Sequence, residues 1–155
     1  MSKSFFLLLA FIILFALVSC QREDTTKTFY TRQIVDSKDA PKAIGPYSQA
    51  VLIGNTVYLS GQIALDEKTG NLVNSDIKEE TIQVMKNIGA VLRDVKFDYD
   101  NIVQAIIYLK DLENYSAVNE VYASFFKRSY PARVCVQVAR LPKDANIEIA
   151  VVAMK

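Results

Sequence analysis

The sequence has no histidine among its 155 residues. That single absence excludes Ser-His-Asp and Cys-His nucleophile arrangements and every histidine-based metal site. No Walker loop, dinucleotide glycine fingerprint or CxxC pair occurs either. Cysteine is scarce, with two residues, Cys20 and Cys135. Charge is nearly balanced at 18 basic and 17 acidic residues, so no net basic character marks a nucleic-acid binder. Whatever chemistry the chain performs must come from arginine, carboxylate, tyrosine, serine, one or two thiols and backbone groups.

What is present begins with an apolar run. Lys3 precedes fourteen uninterrupted apolar residues, Phe5 to Val18. A comfortable membrane span needs about 20 residues, so the run suits a secretory signal core. Its end, Leu17-Val18-Ser19-Cys20, resembles the lipobox of bacterial lipoproteins, in which cleavage before the cysteine precedes its acylation. An ordinary signal peptide with a chance cysteine, or an uncleaved anchor, is the competing reading. The expected division is a signal peptide over 1–19, a lipidated Cys20 with a polar tether to residue 31, and a folded domain over 32–155. Processing would place the protein outside the cytoplasm, anchored to a membrane of the cell envelope; without processing it would be cytoplasmic. It would also remove Lys3 and no acidic residue, leaving basic and acidic residues equal in number. With Cys20 acylated, Cys135 has no partner within the chain, and no disulfide framework is possible.

The folded part reads as alternating elements. "TRQIVD" is a weak first strand, and "KDAPKAIGPYSQ", with two prolines and a glycine, is loop. "AVLI" and "VYLSGQIAL" flank Gly54-Asn55-Thr56, a strong hairpin signal. Asp76, with Glu79 three residues on, opens a helix whose Ile77, Met85, Ile88, Leu92 and Val95 share one face. "IVQAIIYL", Ile102 to Leu109, is a buried strand. Asp111 caps a second helix with a stripe of Tyr115, Val118, Tyr122, Phe125 and Phe126. "RVCVQVA" and "IEIAVVA" close the chain as two strands joined by a proline-containing turn. This order argues for an α+β domain, two helices packed on one face of a mixed sheet.

Val134, Val136 and Val138 alternate with Arg133, Cys135 and Gln137. With the valines assigned to the core and the last two strands paired antiparallel, parity places Glu148 beside the polar set, opposite Cys135 or Gln137. A guanidinium, a thiol and a carboxylate would then converge on one face. Two readings fit that cluster: a cross-strand ion pair of Arg133 with Glu148, or an arginine fork for a ligand carboxylate beside a water-positioning glutamate.

The run "PARVCVQVARLPKDANIEI", Pro131 to Ile149, resembles the RidA (YjgF) family of reactive intermediate deaminases. "AIGPYSQA", "LSGQIAL", "KTGNL" and "KDLENYSAVNEVYASFF" match the same family in the same order. The resemblance covers residues 32–155. It implies a chorismate-mutase-like α+β fold, a homotrimer with ligand sites between subunits, and hydrolysis of 2-imino or 2-enamino acids such as 2-aminoacrylate to 2-oxo acids and ammonia, without metal or cofactor. By the same resemblance Arg133 grips the substrate carboxylate and Glu148 serves the hydrolytic water. Tyr47, Ser60, Gly61, Asn119 and Cys135 line the substrate site. Cys135 is not expected to act as an obligatory nucleophile, because no base is available to activate it. Two departures stand out: Gln137, where many relatives carry an acid, expected to alter the inner trimer surface, and a shortened "KRSYPAR", expected to reshape the cleft rim. A non-catalytic binding module for small carboxylates is the alternative from another class. An endoribonuclease, an activity of some relatives, is disfavoured by the neutral charge and missing histidine.

Overall fold

In a computed structural model, residues 31–155 are described. The signal, lipidation and tether expectations for residues 1–30 lie outside them. Six strands form one sheet: β1 (Arg32–Val35), β2 (Ala50–Ile53), β3 (Thr56–Gln62), β4 (Ile102–Leu109), β5 (Ala132–Gln137) and β6 (Ile147–Met154). Two helices, α1 (Ile77–Asp94) and α2 (Tyr115–Ala123), complete the domain. The α+β class, the hairpin and both helices are those expected from the sequence. Gly54 opens the two-residue hairpin turn at φ 59°, a conformation glycine adopts without steric cost.

Asp76 caps α1, its side chain accepting from the backbone N–H groups of Lys78 and Glu79 at 2.8 and 3.0 Å. Helix α1 sends Met85, Ile88 and Leu92, all fully buried, against Val57, Ile107 and Ile149 of the sheet. Each such side chain contributes about 1.5–3 kcal/mol of burial. Asp76→Ala is expected to destabilise the domain by about 1 kcal/mol, read as a lower urea midpoint at unchanged slope. Asp111 caps the short 3-10 turn that leads into α2 rather than the helix itself, accepting from the backbone N–H of Glu113. The helix ends at Ala123, so Phe125 and Phe126 extend the apolar stripe from the turn beyond it.

The strand order is β1-β2-β3-β6-β4-β5, and it overturns the pairing expected for the last two strands. Strand β6 lies between β3 and β4, antiparallel to both, while β5 runs parallel to β4 at the sheet edge. The strand–helix–strand connection through α2 requires that parallel partner, since a crossover returns the chain in the same direction. Register then settles the faces. Ile107 stands opposite both Cys135 and Ile149, so the thiol shares the helix-covered face. Tyr108 stands opposite both Val136 and Glu148, which share the other face.

The valines of β5 are therefore not core residues. Val134 is 50% exposed and Val136 39%, on a sheet face that also carries Tyr58 and Ile106. Alternation groups residues by face but does not say which face is covered, and valine fits either. Gln137 likewise falls opposite Leu109 on the helix side, not on the open face, and accepts from the backbone N–H of Leu112 at 3.2 Å. It secures the entry to α2.

Candidate active site

Two clefts contain the residues singled out from the sequence, Cys135 excepted, and they lie on opposite faces of the sheet. The first is about 480 Å³ and is lined by Asn119, Tyr122, Tyr130, Pro131 and Arg133. Arg133 extends from β5 toward α2, donating from Nη2 to the Tyr115 hydroxyl at 3.0 Å. Its guanidinium carbon stands 5.6 Å from the Tyr115 ring centre and 5.2 Å from that of Tyr122. Tyr115, Asn119 and Tyr122 share one face of α2 because they are spaced at four and three residues. The Tyr122 hydroxyl and the Asn119 Oδ1 are buried without a hydrogen-bond partner among the described residues. Burial pushes the Tyr122 hydroxyl up to about 12, with the nearby arginine opposing the shift.

Cys135 is half-buried two residues further along β5 and packs against the core. Burial raises its thiol above the ordinary value, and Arg133 only partly offsets this. A protonated thiol is a poor nucleophile. It lines neither cleft and packs toward the core instead.

The second cleft is about 390 Å³, lined by Tyr47, Ser60, Gly61 and Glu148 with an apolar rim that includes Ile63 and Pro142. Its floor is a bulge: β3 pairs regularly with β6 from Thr56 to Leu59, then shifts register before Gln62 meets Ile149. Ser60 and Gly61 fill the irregular step, and its glycine lets Glu148 lie close over the strand. A Cβ on Gly61 would fall 1.8 Å from Glu148 Oε1 and 2.7 Å from its Cδ. The Ser60 hydroxyl donates to the Ser48 carbonyl at 2.7 Å, tying the bulge to the preceding loop. That loop is held by buried Gln49, whose amide donates to the Pro41 carbonyl at 2.8 Å and accepts from the Ser37 N–H. Tyr47 folds back at its tip, its hydroxyl accepting from the Ile44 N–H at 3.2 Å.

Glu148 has no ion-pair partner among the described residues. Burial alone raises its carboxyl above the ordinary 4.5. The convergence of Arg133, Cys135 and Glu148 within one chain is thus corrected. Arg133 pairs across β4 with the helix-side row, Glu148 with the open-face row, and the expected cross-strand ion pair cannot form. Strands β5 and β6 are separated by β4, so no parity rule links their faces directly.

Among the described residues no group of three His, Cys, Asp or Glu side chains could hold a metal ion.

A family model described as Endoribonuclease L-PSP matches residues 37–155. The chain belongs to that family, also called RidA or YjgF. A RutC family protein from Pyrococcus horikoshii is 46% identical over 124 residues, spanning 80% of this chain and 98% of that protein. Human 2-iminobutanoate/2-iminopropanoate deaminase is 44% identical over 124 residues, spanning 80% of this chain and 90% of that enzyme. Among solved structures, YyfA of the Rid family from Yersinia pestis superimposes with a TM-score of 0.78 at 44% identity, covering 81% of this chain and 100% of YyfA. TdcF from E. coli, solved with bound serine, gives 0.76 at 36% identity over 79% of this chain and 98% of TdcF.

Within this RidA-family fold, the "KRSYPAR" segment forms part of the rim of the Arg133 cleft through Tyr130 and Pro131. Asp100 holds it, accepting from the Lys127 N–H at 3.3 Å and lying 3.6 Å from Arg128 Nε. Tyr115 and Tyr122 were legible only as a hydrophobic stripe. Their spacing to Asn119 was the available sign that polar tips gather at one point of α2. The bulge at Ser60-Gly61 had one local sign, a glycine inside a strand-like run.

The Glu148 carboxyl also sets a stability expectation. A raised carboxyl pKa means the folded chain holds this proton more tightly than the unfolded one. The charged form therefore opposes folding fully above the raised value, and the penalty vanishes below the ordinary one. Glu148→Gln is expected to raise the denaturation midpoint at neutral pH, with the gain disappearing as pH falls below about 4. Midpoints measured from neutral to acidic pH check the sign.

Proposed function

We propose that this protein hydrolyses reactive 2-imino and 2-enamino acids to 2-oxo acids and ammonia, as a homotrimer whose sites form between subunits. The observation that carries the reading is the partition of its polar groups. A guanidinium opens on one cleft and a half-buried carboxylate on another, and the sheet leaves exposed apolar side chains such as Tyr58, Val134 and Val136. Exposed apolar patches of that kind are usually interfaces. Joining the Arg133 cleft of one subunit to the Glu148 cleft of the next would complete a site that neither contains alone.

The chemistry asks little of such a site. Arg133 would take the substrate carboxylate through its remaining N–H groups. An enamine first tautomerises to the imine, its β-carbon gaining a proton from solvent as its nitrogen loses one. Water then adds to the electrophilic imine carbon, its proton passing to Glu148 while the nitrogen takes a proton from solvent, and a carbinolamine forms. Return of the proton from Glu148 to the amino nitrogen lets the C–N bond break as the carbonyl forms, the hydroxyl proton passing to solvent and ammonia leaving. A carboxylate whose pKa is lifted toward neutrality is better matched to both transfers. Orientation by Arg133 supplies much of the rest. The relatives named as 2-iminobutanoate/2-iminopropanoate deaminases support this reaction class.

The test is decay of enzymatically generated 2-aminoacrylate and related imines: wild type is expected to accelerate it, and an unchanged rate removes the proposal. A second reading is a binding module for small carboxylates, favoured by the bound serine of TdcF. It predicts saturable calorimetric binding of 2-oxo acids without imine turnover. Ribonuclease action, named in the family description, is disfavoured by the absent histidine and balanced charge.

The same proposal includes the N-terminal address. Residues 1–19 act as a signal peptide and Cys20 carries the lipid that anchors the protein outside the cytoplasm. Labelled palmitate should enter the wild-type chain and not Cys20→Ala; equal labelling, or none, removes the anchor.

A further inference from the structure

Arg133 is not a free surface cation. It emerges from an edge strand, where a long side chain would ordinarily sample several rotamers and lose that freedom on ordering. Here one helix face meets it with three groups. The Tyr115 hydroxyl accepts from Nη2 at 3.0 Å, and both tyrosine rings stand within 5.6 Å of the guanidinium carbon. Tyr115 and Tyr122 are seven residues apart, two helical turns, so they bracket the guanidinium along the helix axis. Tyr122 is 3% exposed and fixed by the core, including its contact with Phe126 at 4.8 Å between ring centres. Tyr115 is 41% exposed, so its hydroxyl spends its hydrogen-bonding capacity on Arg133 rather than on the core.

We infer that Tyr115 and Tyr122 are positioning residues, which clamp the Arg133 guanidinium before ligand arrives and leave its other N–H groups aimed at a ligand carboxylate. The inference rests on the proposed function for its ligand, but the clamp itself is a property of the free protein. The rings hold the guanidinium by cation–π attraction, and the Tyr115 hydroxyl sets its rotation about the Nε–Cζ bond. Preorganisation of this kind improves ligand affinity by removing the ordering cost at binding, without adding a contact to the ligand.

Two measurements separate the clamp from the reaction. In the ligand-free full-length protein, guanidinium rotation of Arg133 is followed by side-chain NMR. It is expected to be slow in wild type, faster in Tyr115→Phe, and faster again in Tyr115→Leu. In parallel, Tyr115→Phe should weaken 2-oxobutanoate binding about 5- to 10-fold and raise the imine KM similarly, with kcat held within about twofold. Tyr122→Leu should do at least as much, with folding checked by its thermal midpoint.

A guanidinium that rotates freely in wild type overturns the clamp. Slowed rotation that Tyr115→Phe releases without any change in Kd or KM overturns the positioning role. Should wild type neither bind 2-oxobutanoate nor turn over imines, the proposed function falls and the carboxylate role falls with it. The rotation rates still decide whether the clamp exists.

Discussion

Arg133→Ala is expected to lower kcat/KM for 2-imino acids by about 10²-fold or more, and 2-oxo acid binding by a similar factor. Losing one partner of a charge-assisted, bidentate contact in a partly enclosed cleft typically costs 2–5 kcal/mol, with each 1.4 kcal/mol equal to about tenfold. Among the described residues no second cation lines the cleft with Arg133 to replace it. The variant should fold, because the side chain is half-buried and donates a hydrogen bond to only one hydroxyl. Complementation makes the experiment sharper. Arg133→Ala and Glu148→Ala subunits, each inactive alone, are unfolded together and refolded at equal ratio. In a cyclic trimer with sites shared between neighbours, three-quarters of the assemblies are mixed and each mixed trimer has one intact site. Activity should therefore return to roughly a quarter of wild type. A site built within one subunit would return none. Recovery to that level would place the Arg133 and Glu148 of one site on different chains, as proposed.

Gly61→Ala should separate catalysis from folding in the other half-site. The added methyl would sit 1.8 Å from Glu148 Oε1 and 3.0 Å from its Cγ, so the glutamate side chain must leave its position. Its atoms are the flexible end of a side chain and can swing away from the bulge. Gly61 also lies outside the positive-φ residues, so alanine meets no backbone penalty. Stability should change by less than about 1 kcal/mol, whereas kcat should fall about 10²-fold, the usual consequence of displacing a reacting group by an ångström or more. Equal losses of stability and activity would make the glycine a folding residue only. Unchanged kcat would dismiss Glu148 from the water-activating role.

Secondary structure was legible because its causes are local. The Gly54-Asn55 turn, the Asp76 cap, the stripe of Met85, Ile88 and Leu92, and the limits of β4 all follow from residues within a few positions of one another. The family motif, Pro131 to Ile149, also lay in plain view, and with it the candidates Arg133 and Glu148. Their mutual placement did not. Alternation in β5 and β6 correctly grouped residues by face, but pairing is a non-local choice, and β4 came between them. With that one intervening strand, Val134 and Val136 turned outward, Cys135 turned toward the helices, and Arg133 parted from Glu148. Sequence alone determined which side chains could do the chemistry, because residue type sets charge and hydrogen-bonding capacity. Only the tertiary structure decided that one chain presents them on opposite faces, because strand order depends on how α2 carries β5 over to the sheet edge.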